Sequence, residues 1–242
     1  MKILICITAF MLMVTSDAFS QSELDFESGT ELILESGADL SADIIRINGS
    51  FSGGGTINGN PAYVLNLKVI IQGFYNSSAD IMISDRATVY LRNAASPYEI
   101  IESFESNLDS TGVGTFIFSN ALDAANYYLV VNHRNSIETW SNSGNAFSSG
   151  SMVYDFTTAS NKAYGNNLIL LKNTPVRYAI YSGDADQDGV IDASDASLVD
   201  NDGFNFVTGY VNSDVTGDEL VDASDAALVD NNGLNFVYSI HP

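Results

Sequence analysis

The chain reads as mainly β with a small α module at its C-terminus: an antiparallel β-sandwich followed by a paired loop–helix domain. Three observations predict this. Residues 63–172 hold about seven short runs rich in Val, Ile, Tyr and Phe, separated by Asn, Ser, Gly and Asp. Residues 184–207 and 214–237 are copies at a 30-residue period, identical at 15 of 24 positions. Acid is concentrated at one end: of 30 acidic residues against 9 basic ones, thirteen acids and no Lys or Arg lie between Tyr178 and the C-terminus.

In chain order, Lys2 and the apolar run Ile3 to Val14 have the charge and length of a secretory leader, with Ala18-Phe19-Ser20 as the cleavage motif before Gln21. A run of twelve is too short to span a hydrocarbon core of ~30 Å. Residues 1–20 are therefore expected to be a signal peptide and the protein to be secreted or held at a cell surface. Cys6 falls inside the leader, so the mature chain would hold no disulfide, and metal is the remaining staple. Residues 21–62 form a short β-rich segment: Glu31 to Leu34 and Asp43 to Ile47 alternate, Gly53-Gly54-Gly55 and Asn58-Gly59-Asn60-Pro61 punctuate, and the spacing resembles β-solenoid coils. The strands expected in the 63–176 domain are Val64–Gln72, Ala87–Arg92, Tyr98–Glu102, Gly114–Phe118, Tyr127–His133, Met152–Thr157 and Asn167–Leu171. The net charge of −21 repels phosphate backbones and anionic lipids, which excludes nucleic acid, and nothing after residue 20 is apolar enough to cross a membrane.

Residues 178–242 carry the chemistry. Asp184, Asp186, Asp188, Asp192 and Asp195 stand at positions 1, 3, 5, 9 and 12 of a twelve-residue loop, with Gly189 at position 6 and the Val190 carbonyl at position 7. Calcium takes six to eight hard oxygens, and this spacing matches an EF-hand loop. The second copy offers Asp214, Thr216, Asp218, the Leu220 carbonyl, Asp222 and Asp225. Thr216 removes a charge, and Glu219 replaces glycine where positive φ is expected, so the second of two calcium ions should bind more weakly. Two carboxylates ~4 Å apart repel by about 4 kcal/mol at an effective dielectric near 20, so five of them need a cation. Each loop should lead into a helix, over 193–202 and 223–232, with Asp at N-cap and N3 and a stop at Gly203 and Gly233. Leu198 and Val199 should turn inward, and Ile191 and Val221 sit where paired EF-type loops bridge.

A loop with an exiting helix and no entering one, given twice, resembles a type I dockerin. The runs "KVIIQGFYN", "ATVYLRN", "DSTGVGTFIFSN" and "NYYLVVNHRNSIETW" resemble transthyretin-like or carboxypeptidase-regulatory-like modules of secreted bacterial proteins. The first resemblance implies a cohesin-like partner, met through exposed helix residues at Ala193, Ser194, Asp200, Asn201 and Asn205, and at Ala223, Ser224, Asp230, Asn231 and Asn235. The second implies a supporting role.

No catalytic motif is present, and no enzyme is expected. A triad would need His133, read as a strand-end histidine, and Glu99, Glu102 and Glu105 are read as a solvated edge. Trp140 with Tyr127, Tyr128 and Tyr154 is either a sugar platform, making polysaccharide a partner, or sandwich core; the core reading is preferred. The rival functions are a carbohydrate-binding or polysaccharide-active protein and an adhesin-like surface protein anchored by its tail.

Overall fold

The computed structural model describes residues 62–242 throughout and, before them, the backbone at 4–6, 23–26, 31–34, 39–47, 50–53 and 56–61. It divides into two compact units, Met1–Tyr63 and Val64–Pro242.

The first unit has six strands: β1 (Leu4–Cys6), β2 (Glu23–Phe26), β3 (Glu31–Leu34), β4 (Asp39–Ile47), β5 (Ser50–Gly53) and β6 (Thr56–Pro61). Odd strands form one parallel sheet and even strands another, as successive turns of a solenoid would, in keeping with the spacing of its glycines. β1 takes three residues of the apolar run read as a leader and pairs with Glu31–Ile33. The cleavage motif before Gln21 lies outside the described residues.

The second unit is mainly β with two short helices, in keeping with a β-sandwich. Its strands are β7 (Tyr63–Lys68), β8 (Tyr75–Asn76), β9 (Ile81–Met82), β10 (Asp85–Asn93), β11 (Ile100–Leu108), β12 (Val113–Phe118), β13 (Asn126–His133), β14 (Ser136–Trp140), β15 (Asn145–Ala146), β16 (Ser151–Asp155), β17 (Ile169–Asn173) and β18 (Val176–Ala179). One sheet runs β11-β10-β13-β14, with β15 on β13, and a second β12-β7-β16, while β8-β9 and β17-β18 are two-stranded. The sandwich is not wholly antiparallel, because Ser151–Asp155 pairs parallel to Val64–Lys68. The alternation read from sequence has its physical counterpart: Leu65 and Leu67, Val89 and Leu91, and Phe116 and Phe118 are buried, while their strand neighbours face outward. Each fully buried Phe contributes about 1.5–3 kcal/mol. β14 breaks the alternation, being buried on both faces. Its Ile137 joins the apolar cluster of the C-terminal repeats, with Ile191, Val199, Val215, Val221, Val229 and Val237.

The repeats form α1 (Ala193–Phe204) and α2 (Ala223–Leu234). Both open with the expected capping box, Asp192 with Asp195 and Asp222 with Asp225. Val199 is buried and Leu198 half-buried. Neither helix stops at its glycine. Gly203 and Gly233 stay helical, Asn205 and Asn235 are the C-caps, and the left-handed residues are Phe206 (φ 55°) and Phe236 (φ 53°). The bonds Phe206 N–H to Gly203 C=O (3.1 Å) and Val207 N–H to Asp202 C=O (3.0 Å) close a Schellman motif, repeated at Phe236 and Val237. A phenylalanine costs about 1 kcal/mol in that conformation; the turn brings the following valines, Val207 and Val237, onto the apolar cluster.

The loops do not bridge each other as paired EF-type loops do. Ile191 N–H donates to the Val237 carbonyl (2.9 Å), and Val221 N–H to that of Val207 (3.2 Å). Each loop is therefore tied to the segment that leaves the other copy's helix.

Candidate metal centre

Asp184, Asp186 and Asp188 each bring a carboxylate oxygen to within 4.8 Å of one another. Asp186 and Asp188 are exposed, whereas Asp184 is only 2 % exposed. Asp184 Oδ2 accepts from Gly189 N–H at 3.2 Å, while Oδ1 meets no donor. Of the buried side-chain polar atoms without a partner among the described residues, it is the one carboxylate oxygen. Burial, then the charges of Asp195, Asp188 and Asp186, push the Asp184 carboxyl up to about 7. Val190 N–H donates to Asp188 Oδ1 at 2.9 Å. In extended backbone the N–H and C=O of one residue face the same side, so the Val190 carbonyl turns toward the same interior.

Positions 9 and 12 are placed differently from the spacing rule. Asp192 Oδ1 accepts from Ser194 N–H (2.8 Å) and Oγ (2.7 Å), and these bonds hold its carboxyl below the usual range. Asp195 accepts from Ala185 N–H (2.7 Å), Asp186 N–H (3.2 Å) and Asp192 N–H (2.9 Å), while burial raises its carboxyl. The unpaired N–H groups at the start of a helix need acceptors, and here both aspartates supply them. The loop backbone is thereby fixed around Asp184.

The second loop has the same shape and a different balance of charge. Asp214 accepts from Gly217 N–H (2.8 Å), Asp218 N–H (3.1 Å) and Glu219 N–H (3.3 Å), and from Arg134 Nη2 at 3.2 Å. Thr216 is spent on Asp225, through N–H (2.9 Å) and Oγ1 (3.0 Å). Asp225 also accepts from Asp222 N–H (2.9 Å), and Asp222 caps Ser224. Leu220 N–H donates to Asp218 Oδ1 at 3.0 Å, as Val190 does in the first loop. Positive φ at position 6 is confirmed in both copies, Gly189 at 88° and Glu219 at 67°. Position 4 is also left-handed, Gln187 at 62° and Gly217 at 76°, so each loop carries one strained non-glycine residue. Glu219 thus gives no reason for the second site to be the weaker one.

Arg134 was missed in the sequence because it lies 80 residues from Asp214. It occupies the turn between β13 and β14, where Asn135 Nδ2 donates to the Asp214 carbonyl (2.7 Å) and Gly183 N–H to the Asn135 carbonyl (2.7 Å). Its Nε donates to Asp85 Oδ2 at 3.0 Å and Nη1 to the Val211 carbonyl. The guanidinium lies 4.4 Å from the Tyr210 ring centre and 5.3 Å from that of Phe74.

His133 is no plain strand-end residue. Nδ1 is 3.1 Å from Ser136 Oγ and Nε2 is 3.2 Å from Asp85 Oδ2, a Ser–His–Asp chain with the two ring nitrogens exchanged relative to a catalytic relay. Ser136 and His133 are buried to within 1 % of full burial, so no substrate reaches the hydroxyl. Burial lowers the His133 pKa against the opposing pull of Asp85. Glu102 likewise is not a solvated edge: it accepts from Ser119 N–H and Oγ and from Asn120 N–H, bracing a turn. Trp140 is 5 % exposed, with Arg92 over its ring at 5.1 Å and Tyr98 and Tyr128 edge-on, which is the core reading.

All ten helix residues expected to meet a partner are exposed. Several also have local work. Ser194 and Ser224 bond to the N-cap aspartates, and Asn205 and Asn235 donate to the carbonyls of Asn201 (2.8 Å) and Asn231 (2.7 Å). More prominent are side chains not singled out by sequence: Phe204, Phe206 and Phe236 at 83 % exposure and Leu234 at 78 %. The repeated "GFNFV" and "GLNFV" was the signal for them.

No family model matches the chain, and no curated protein matches it. Two similar solved structures are a C-terminal and an N-terminal interface mutant of a type II cohesin–X-dockerin complex from Acetivibrio cellulolyticus. Their identities to this chain are 13 % and 12 %, with TM-scores of 0.42 and 0.38. Each match covers 71 % of this chain and 94 % or 93 % of the other. The expectation about partners is corrected here. Both structures are complexes of a cohesin with an X-dockerin, and a cohesin-like partner is not retained for this chain. Trp140 and Tyr127 are core residues, so they form no sugar platform. Among the described residues no helix is long and apolar enough to cross a membrane.

Proposed function

We propose that the C-terminal repeats are a dockerin-like loop–helix pair whose first loop binds calcium, and that the ion serves structure: it holds a surface for docking a protein. The observation that carries this reading is the partnerless Asp184 Oδ1, buried beside the carboxylates of Asp186 and Asp188. A buried carboxylate oxygen without a donor is costly, and a hard divalent cation is the partner this all-oxygen set suits. Asp184, Asp186, Asp188 and the Val190 carbonyl would hold it. The ion would neutralise charge where the sequence offers no base.

What calcium would organise is the pair of helix exits. Four large apolar side chains stand in solvent there, two of them in strained left-handed backbone, in a stretch with thirteen acids and no lysine or arginine of its own. Such an apolar, acid-rich surface suits a protein partner with apolar sockets rimmed by basic residues. The chain is read as an exported, non-catalytic protein, on the charged start and apolar run of residues 2–14 and on the inaccessibility of the Ser136–His133 pair.

Calcium titration of the full chain by calorimetry, with circular dichroism before and after EGTA, tests the reading. Saturable binding and a raised Tm are expected. No heat, together with an unchanged melting curve, overturns it.

A further inference from the structure

The two loops are copies in sequence, yet only one of them has an unanswered charge. Both Asp214 oxygens are taken, by three backbone N–H groups and by Arg134 Nη2 at 3.2 Å. In the first loop a single N–H reaches Asp184, and Oδ1 has no donor. At position 3 the first loop offers Asp186, while the second offers Thr216, whose hydroxyl is committed to Asp225 at 3.0 Å.

We infer that the second loop takes no metal: Arg134, reaching in from the β-sandwich, is its resident cation, and the chain binds one calcium ion. The claim deepens the calcium reading above and rests on it. Arg134 is well held. Its guanidinium joins Asp85 (3.0 Å) to Asp214, donates to the Val211 carbonyl, and lies between the Phe74 and Tyr210 rings. Asp85 is fixed in turn by Tyr210 Oη (2.8 Å) and His133 Nε2 (3.2 Å). A calcium ion at Asp214 would sit beside a half-buried positive charge, and expelling that charge would leave Asp85 and the Val211 carbonyl short of a donor. Like-charge repulsion at this range is several times the thermal energy even at an effective dielectric near 20. Removing one partner of a buried ion pair is strongly destabilising. The duplicated loop has thus kept its shape and exchanged its ion for a side chain.

The test is calcium stoichiometry of the full chain by equilibrium dialysis with elemental analysis, for the native protein and for Arg134→Met. One ion per native chain is expected, rising to two in Arg134→Met at millimolar calcium. Its Tm should fall in EGTA and recover more on calcium addition than that of the native chain. Two ions in the native protein overturn the inference, and so does a folded Arg134→Met that stays at one. Zero ions in the native protein overturn the calcium reading itself, a result distinct from either. Should Arg134→Met fail to fold, as judged by the near-ultraviolet signal of Trp140, Asp184→Asn decides: loss of all bound calcium supports the inference, and retention of one ion overturns it.

Discussion

Replacing Asp184 by Asn should have opposite effects with and without calcium. In the cation-free protein the Asp184 carboxyl is pushed up to about 7, by burial first and by neighbouring carboxylates second. Its unfolded value is about 3.9. A folded value above the unfolded one means the contribution is fully favourable below about pH 3.9 and is lost as pH rises through about 7. At pH 8 the ionised side chain therefore weakens the calcium-free fold. At about 1.4 kcal/mol per unit the upper bound is about 4 kcal/mol, and discounting for solvent around the exposed Asp186 and Asp188 leaves about 2 kcal/mol. Asn keeps the shape and an acceptor for Gly189 N–H without the charge. Asp184→Asn should then raise Tm in EGTA at pH 8 by about 4–8 °C, the scale for a domain of this size. In calcium it should melt below the native protein, having lost the ion. Scanning calorimetry of both proteins in EGTA and in calcium reads all four values. If Asp184→Asn lowers Tm in EGTA, the carboxylate is already satisfied within the protein and the reasoning fails.

Three further outcomes follow from the geometry. His133 is buried with a lowered pKa, so its contribution is intact above about pH 6.5 and is lost as pH falls below it; calcium-loaded protein should lose Tm as pH falls below about 6.5, and a flat profile would contradict this. Asn232 Nδ2 donates to the Ser182 carbonyl (2.6 Å) and Gln72 Oε1 (2.7 Å), so Asn232→Ala should cost about 1–3 kcal/mol in urea unfolding, whereas Asn231→Ala, at an exposed site, should cost less than half of that. Phe206→Gly with Phe236→Gly removes two strained, exposed rings; it should stabilise by about 1 kcal/mol per site while weakening capture of a protein partner, and a loss of stability would show that the rings support the fold.

Much of the site was legible because calcium loops are written in local spacing. Asp184, Asp186, Asp188, the capping pairs and positive φ at position 6 all depend on neighbours within twelve residues. The strands of one-face burial were legible for a like reason, since alternation at β10 or β12 is a local record of one buried face. β14 was not, because Ser136–Trp140 is buried on both sides and has no period to read. Gly203 and Gly233 misled for a physical reason: they look like helix stops, but the left-handed turn falls three residues later, where Val207 and Val237 can reach the apolar cluster. Least legible was Arg134. The repeats hold no base of their own, and nothing in residues 178–242 shows that one arrives from a turn 80 residues upstream of Asp214.

The turn at Arg134 and Asn135, with Ile137 just after it, works like a keystone set into the repeats from outside. A cassette cut at residue 178 and grafted onto a foreign host would arrive without its arginine and with a hole in its apolar cluster. Any successful transplant of these repeats would have to carry the 134–137 corner along, so the natural exchangeable part is the whole of Val64–Pro242.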